Sequence, residues 1–477
     1  MDFSTWIIII FLLNFLAFIV LVCFERRDPV VSLAWVLGFT VFPVLGFVIF
    51  LVFGKGLKKK TRDQYAKKMH MNIDLTEKLQ RDEEIRALKD EKAGGEYNDL
   101  LLYLLNTNNS IYTDNNNVKI FTDANEKYSN LFEDIRKAKN HINVLYFIIR
   151  DDEISKKFIA ALTKKAEEGV EVRLLYDGFG SLLTSKHIFK PLIQAGGEVC
   201  SFFPVKLNSY SKINHRNHRK IVVIDNETGY TGGMNIGDEY MSKKKPSPWR
   251  DTHIRIEGEA VMYLQKIFDL DWIFSTGEDL SENIKKYFLR TEKTCGNTGI
   301  QIVASGPESD AEEIKCGMIK MISKAKDSVL IQTPYFVPDK PFLTAIEMAA
   351  NSGVEVKVMI PGIPDKNYVY YSTYSFLGEL LSAGVKVYTY PGFLHAKTMV
   401  SDNKIITIGS SNMDIRSFQL HFEVNAFIYD EEKANEYIRI FNNDLKICQE
   451  ITLDDYKKRG VWQQMKEGFF RLFSPIM

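Results

Sequence analysis

Two distant stretches of this chain carry one spacing. Asn214 to Asn235 reads NHRNHRKIVVIDNETGYTGGMN, and Leu394 to Asn412 reads LHAKTMVSDNKIITIGSSN. Both contain H-x-K-x4-D-x6-G-[GS]-x-N: His218, Lys220, Asp225, Gly232, Gly233 and Asn235 in the first, His395, Lys397, Asp402, Gly409, Ser410 and Asn412 in the second. A lone H-x-K is commonplace on a solvated strand edge, whereas the whole spacing recurring in one chain constrains the fold. The flanks recur as well. KKAEEGVEVRLLYDG and LIQAGGEVCSFFP precede the first stretch, EMAANSGVEVKVMIPG and LLSAGVKVYTYPG the second. Each half thus runs helix, Gly turn, β-branched strand, helix, Ala-Gly turn, strand, the order of βαβ units. The expectation is an α/β protein of two pseudo-symmetric halves with mixed, largely parallel sheets.

Alternation along a strand sends His218 and Lys220 to one face, and likewise His395 and Lys397. Two halves related by a pseudo-twofold axis would bring both pairs into one site. Two ammonium groups and the amides of Asn235 and Asn412 suit the non-bridging oxygens of a phosphodiester and the charge that grows on them in the transition state. One neutral imidazole can attack phosphorus while the other, protonated, gives a proton to the leaving oxygen. A metal site is the alternative use of the histidines. His215 and His218 are three apart, but cysteine or carboxylate companions at ligand spacing are missing and the neighbouring lysines repel a divalent ion, so neither a metal nor a cofactor is expected. Cys23, Cys200, Cys295, Cys316 and Cys448 are scattered without C-x-x-C spacing and read as reduced packing residues.

The N-terminus predicts a membrane hairpin. Residues 6–24 hold one polar member, Asn14, and residues 30–53 form a second apolar run; each is long enough for a hydrocarbon core about 30 Å thick. No basic leader or A-x-A site marks the first run as a cleaved signal. Lys55, Lys58, Lys59, Lys60, Arg62, Lys67 and Lys68 follow the second run against the single acid Asp63, which places everything downstream in the cytoplasm and suits anionic headgroups. Lysine plus arginine (61) equals aspartate plus glutamate (61), so global charge names no partner, and no basic groove interleaved with aromatics speaks for nucleic acid. The expected layout is 1–54 hairpin, 55–116 basic segment and charged helical connector (about 72–93), 117–290 first catalytic half, and 291–477 second half, with a polar boundary near 275–299. The tail GVWQQMKEGFFRLFSPIM places Trp462, Met465, Phe469, Phe470, Leu472 and Phe473 largely on one helical face and reads as an interfacial helix. Lys243 to Lys245 read as a solvated loop.

At the doubled motif the sequence resembles the phospholipase D superfamily, and within it the bacterial cardiolipin synthases. RRDPVVSLAWVLGFTVFPVLGFVIFLVFGKG, YFIIRDDEI, PWRDTHIRIEGEAV, QTPYFVPD and GSSNMDIRSFQLHFEVN extend the resemblance over nearly the whole chain. It implies two phospholipase D-like α/β domains and a metal-free ping-pong transfer, in which one phosphatidylglycerol donates its phosphatidyl group to a histidine and a second accepts it. The resemblance makes His218 the nucleophile and His395 the acid/base, with Lys220, Asp225, Lys397 and Asp402 completing the motif. The two aspartates are expected to orient the strand or the lysine rather than touch phosphate. It also implies a carboxylate behind each imidazole, for which Asp251 and Glu423 are the candidates. Ser410 stands where the first half has Gly233, so a hydroxyl assisting phosphate there would make the halves unequal. The implied location is the cell membrane, the implied partners are phospholipids, and the alternative reaction is hydrolysis of phospholipid headgroups with water as acceptor.

Overall fold

The computed structural model describes residues 3–19, 29–50, 61–65, 95–205, 214–241, 249–278 and 293–474. Lys55, Lys58 to Lys60, Lys67, Lys68, the 72–93 connector, Lys243 to Lys245, residues 279–292 and the ends of both predicted spans lie outside these.

Among the described residues, nineteen strands build two large sheets and two small two-stranded ones. In the first half these are β1 (Asn116–Phe121), β2 (His141–Tyr146), β3 (Glu171–Asp177), β4 (Glu198–Phe202), β5 (Ile221–Ile224), β6 (Thr228–Gly232), β7 (Trp249–Arg250) and β8 (His253–Gly258). The second half contributes β9 (Gly299–Ser305), β10 (Ser328–Gln332), β11 (Phe336–Val337), β12 (Glu355–Pro361), β13 (Lys386–Tyr390), β14 (Phe393–Leu394), β15 (Thr398–Ser401), β16 (Ile405–Gly409), β17 (Met413–Asp414), β18 (Glu423–Tyr429) and β19 (Gln449–Ile451). The first sheet has the order β1-β8-β6-β5-β2-β3-β4, and the second, read from its other edge, β9-β18-β16-β15-β10-β12-β13 with β19 added. The two orders superpose element for element, so the repeat seen in the sequence is a repeat of topology.

The sheets are mixed, but parallel pairing is the minority, which corrects the expected largely parallel arrangement. Only β2 with β3, β3 with β4, β10 with β12, and β12 with β13 are parallel within the large sheets. A turn inside each motif makes two of the antiparallel pairs, β5 with β6 and β15 with β16. Asp225 and Asn226 take φ of 53° and 56°, Asp402 and Asn403 51° and 58°, and the Glu227 and Lys404 amides donate to Ile224 O and Ser401 O, both at 3.1 Å. Two successive left-handed residues make a type I′ turn, which sends the chain back antiparallel.

The strands with both faces covered are apolar throughout, as in the Ile-Val-Val-Ile run of β5. Ile221, Val223, Ile254 and Ile256 join Ile302, Val400, Ile406, Ile408 and Val424 in one core between the two sheets, while Val222, Ile224, Ile142 and Val144 pack outward beneath the helices of the first half. The halves therefore share a hydrophobic interior.

At the N-terminus, no helix among the described residues is long and apolar enough to cross a membrane. The first, Phe3–Ile19, has 17 residues. The second run is broken into Pro29–Val41 and Pro43–Ile49, because Pro43 has no N–H and its ring clashes with the preceding turn. Phe50 returns to pack on Trp35 and Phe39, with centroids 5.3 and 5.1 Å apart, and a Cβ at Gly46 would lie 2.4 Å from Gly38 O, so glycine permits the crossing. Asn14 donates Nδ2 to Pro43 O at 3.0 Å.

Residues 61–65 are helical and dock on the α/β body. Tyr65 is buried, its ring 5.2 Å from those of Phe274 and Phe422, and its hydroxyl donates to Asp271 (2.7 Å) while accepting from Arg219 (3.0 Å).

The motif aspartates hold the strand starts. Asp225 accepts the backbone amides of Lys139, Asn140 and His141 (2.7, 2.7 and 2.9 Å), and Asp402 those of Lys326, Asp327 and Ser328 (2.7, 2.8 and 3.0 Å). Replacing either by alanine removes three charge-assisted bonds and places a side chain without local compensation at positive φ. Asp225→Ala and Asp402→Ala are each expected to cost about 2–4 kcal/mol of stability, read as a lowered melting temperature, with turnover per folded molecule little changed. Loss of turnover at an unchanged melting temperature would instead place the carboxylate in the chemistry.

Candidate active site

Each motif histidine enters the site on a backbone link to the other half. The His218 amide donates to Phe422 O (2.9 Å) and the Phe422 amide to Arg216 O (2.8 Å), while the His395 amide donates to Arg250 O (2.7 Å) where β7 pairs parallel with β14. Phe422 precedes Glu423 and Arg250 precedes Asp251. Each bridge therefore delivers a carboxylate from one half to the histidine of the other. His218 Nδ1 lies 2.9 and 3.0 Å from the two Glu423 oxygens, and His395 Nδ1 lies 2.6 Å from Asp251 Oδ2. A carboxylate accepts the Nδ1 proton, so the neutral tautomer leaves the lone pair on Nε2 of both rings.

The lysines are fully buried one turn of alternation away. Lys220 Nζ donates to His218 O and Lys397 Nζ to His395 O, both at 2.5 Å. An ammonium without water is costly, and burial pushes Lys220 down to about 7 against the pull of Glu423, and Lys397 down to about 8 against Asp251. Burial also holds the His218 imidazole well below its ordinary value, helped by Lys220, Lys397 and His395, while burial and Lys397 bring His395 down to about 4 against Asp251. Burial therefore favours the neutral form of both rings.

The other predicted residues fall out differently. Asp225 and Asp402 lie at the far ends of β5 and β15, bonded to backbone, and are not brought to the histidines. Asn235 Nδ2 donates to Tyr240 OH (3.1 Å), its Oδ1 accepts the Ile148 amide (3.2 Å), and Asn412 Nδ2 donates to Asp414 (3.0 Å). Ser410 donates its hydroxyl to Glu423 Oε2 at 2.5 Å and accepts the Val424 amide at 3.0 Å. At the matching position, a Cβ on Gly233 would sit 2.0 Å from Asp251 Oδ1. Glycine makes room for the close-lying Asp251, and serine braces Glu423.

Several neighbours escaped the sequence reading. Phe147 meets His218 edge-on at 4.8 Å; Trp249 and Phe393 lie 5.7 and 5.6 Å from His395, and Tyr240 OH is 3.4 Å from its Nδ1. The position two residues before each carboxylate faces the opposite histidine, held by Trp249 in one half and His421, 5.8 Å from His218, in the other. That repeated offset is the signal that could have found them. His421 is pushed down to about 3 by burial. Among the described residues, His218, His421 and Glu423 are the group able to hold a metal, with ligand atoms within 4.8 Å of one another; His215 instead turns Nδ1 to Leu420 O (3.2 Å).

Comparison with known proteins places the chain in a family. The family described as cardiolipin synthase, phospholipase D-like domain, matches residues 131–272 and 318–445, and a phospholipase D-nuclease N-terminal family matches residues 12–55. The major cardiolipin synthase ClsA of Bacillus subtilis is 45% identical over 472 residues, spanning 98% of both chains. A cardiolipin synthase of Staphylococcus aureus is 43% identical over 480 residues, covering 98% of this chain and 95% of its own. In fold, the crystal structure of a phosphatidylserine synthase from Haemophilus influenzae aligns with a TM-score of 0.59 at 15% identity, over 79% of this chain and all of that one. The chain belongs to the cardiolipin synthase family of the phospholipase D superfamily.

Proposed function

We propose that this protein is a membrane-bound phosphatidyl transferase that converts two phosphatidylglycerol molecules into cardiolipin and glycerol through a phosphatidyl-histidine. The observation that carries the reading is the crossed pair of imidazole–carboxylate bonds between two buried ammonium groups. The donor phosphodiester sits between the two Nε2 atoms, its negative charge met by Lys220 and Lys397 and raising the proton affinity of the ring that faces the leaving group. His218 Nε2 attacks phosphorus. As the bond to the glycerol headgroup breaks, protonated His395 gives its Nε2 proton to the departing oxygen. The ring of His218 gains positive charge on bonding to phosphorus, and Glu423 at Nδ1 stabilises it. Neutral His395 then takes the proton from the glycerol hydroxyl of the second phosphatidylglycerol, that oxygen attacks phosphorus, and the P–N bond breaks to regenerate His218. Every step is carried by the chain's own side chains, without metal. The N-terminal apolar segments hold the chain in the cell membrane with both catalytic halves on the cytoplasmic side.

The reaction is tested with purified protein in mixed micelles and labelled phosphatidylglycerol, in the presence of a chelator. Cardiolipin plus glycerol is expected, and phosphatidic acid as the sole lipid product would make the protein a hydrolase. Rapid quench should trap a phosphatidyl adduct that is absent in His218→Ala, with turnover down by about 10⁴-fold or more. An adduct that survives there and disappears in His395→Ala reverses the two roles. The crossed wiring predicts that Glu423→Gln slows adduct formation at His218, whereas Asp251→Asn acts on proton transfer at His395.

The pH dependence follows from the two lysines and the two histidines. As pH rises through about 7 and then 8, Lys220 and Lys397 lose the protons that hold the substrate anion, so kcat/KM falls. On the acid side, burial and Lys220 keep the His218 imidazole neutral and nucleophilic to well below its ordinary range. A kcat/KM that still climbs through pH 9 would remove the ammonium groups from substrate binding.

A further inference from the structure

The last helix, Val461–Arg471, is docked with its polarity inverted. Its position opposite the apolar stripe, Glu467, is 3% exposed and bonded to Arg459 and Gln463 (3.1 and 3.0 Å). Arg471 reaches Ser375 O (2.9 Å) and pairs with Glu379, and Phe470 stacks on Tyr371 at 5.8 Å. These partners lie in or beside the helix Asn367–Ser382, so the charged side of Val461–Arg471 faces the protein. The apolar side faces outward. Trp462 is 77% and Leu472 72% exposed, and Val461, Met465, Phe469 and Phe473 are exposed with them. At 100° per residue these six positions fall within an arc of about 120°.

We infer that this outward stripe is a docking surface for an anionic lipid bilayer. Water is a poor neighbour for six large apolar side chains in a continuous row, and a hydrocarbon interface is a good one. Trp462 suits the headgroup level, where an apolar ring with one N–H is at home. Exposed Lys457 and Lys458 precede the helix and exposed Lys466 borders the stripe, which complements phospholipid phosphate. The same lysines disfavour a second copy of this chain as the occupant, since a symmetric pairing would set like charges beside one another. The surface also lies one helix from the reacting groups. Within Asn367–Ser382, Tyr371 packs on the tail helix, while Tyr370 and Tyr374 line a crevice with Phe393, the residue packed on His395. A bilayer against the stripe would bring the His395 side of the site close to the headgroup plane, so the two lipids need not leave the membrane to react.

The inference rests on the membrane reading above, and its test reads lipid contact apart from catalysis. Full-length protein is placed in vesicles of phosphatidylglycerol and phosphatidylcholine carrying brominated acyl chains, and the Trp462 signal is taken as the wild-type fluorescence less that of Trp462→Phe. It should be quenched more strongly by bromine near the headgroup than near the chain end, and more as the phosphatidylglycerol fraction rises. With substrate in vesicles, Met465→Glu/Phe469→Glu should raise KM by about tenfold while sparing kcat, and should leave KM for monomeric short-chain phosphatidylglycerol unchanged. Insensitivity of Trp462 to the bromolipids overturns the proposal, as does a fall from dimer to monomer in the double variant by light scattering, which would assign the stripe to a second copy. A protein that makes no cardiolipin but shows the quenching would fail the proposed reaction and keep the docking surface.

Discussion

Everything at the centre of this molecule depends on a hydrogen bond from each reactive imidazole to a carboxylate in the opposite half. Glu423 serves His218 and Asp251 serves His395. Those bonds need the two halves held in register. Two parallel backbone bridges, Asn217 with Phe422 and Trp249 with Phe393, set that register within one or two residues of the groups that react. Behind them the sheets share an apolar core from Ile221 and Val223 to Ile406 and Val424, so burial drives the halves together and the bridges decide how they meet.

The buried lysines sit on the same frame. In a solvated cleft an ammonium would hold its proton and spend its attraction on water. Here each is buried and bonded to the carbonyl of its own motif histidine. The cost is a proton affinity lowered toward neutrality. The low proton affinities of the histidines have the same origin.

Much of this was legible in the sequence, and what was not had physical reasons. The motif stretches showed which imidazoles and lysines belong together, because chance seldom repeats a whole set of chemical groups at fixed offsets. Glu423 and Asp251 were identifiable through resemblance, but their exchange between halves leaves no trace in spacing: a carboxylate 33 residues after His218 and another 28 after His395 would look just as natural as partners within one half. The Asp-Asn pairs after β5 and β15 could have announced left-handed hairpin turns, and with them the antiparallel pairing that the Gly-turn grammar of the βαβ stretches concealed. Ser410 and the two asparagines were read from their chemistry alone, which gave no sign of their bonds to Glu423, Asp414 and Tyr240. Tyr65, 154 residues ahead of Arg219, gave no sign that it would close over that guanidinium and Asp271.

Fusion of the two halves into one polypeptide has a consequence beyond holding the site together. A site shared between two separate, identical subunits would assemble only as fast as their concentration allowed, and any substitution would appear twice. Here the partner is tethered, so assembly is a first-order event with a constant effective concentration. Each position can also be altered once. The pairing of Gly233 with Asp251 and of Ser410 with Glu423 uses that freedom: the surroundings of one imidazole are written in the opposite half, and the two can be tuned to unlike tasks without disturbing the symmetry of the frame.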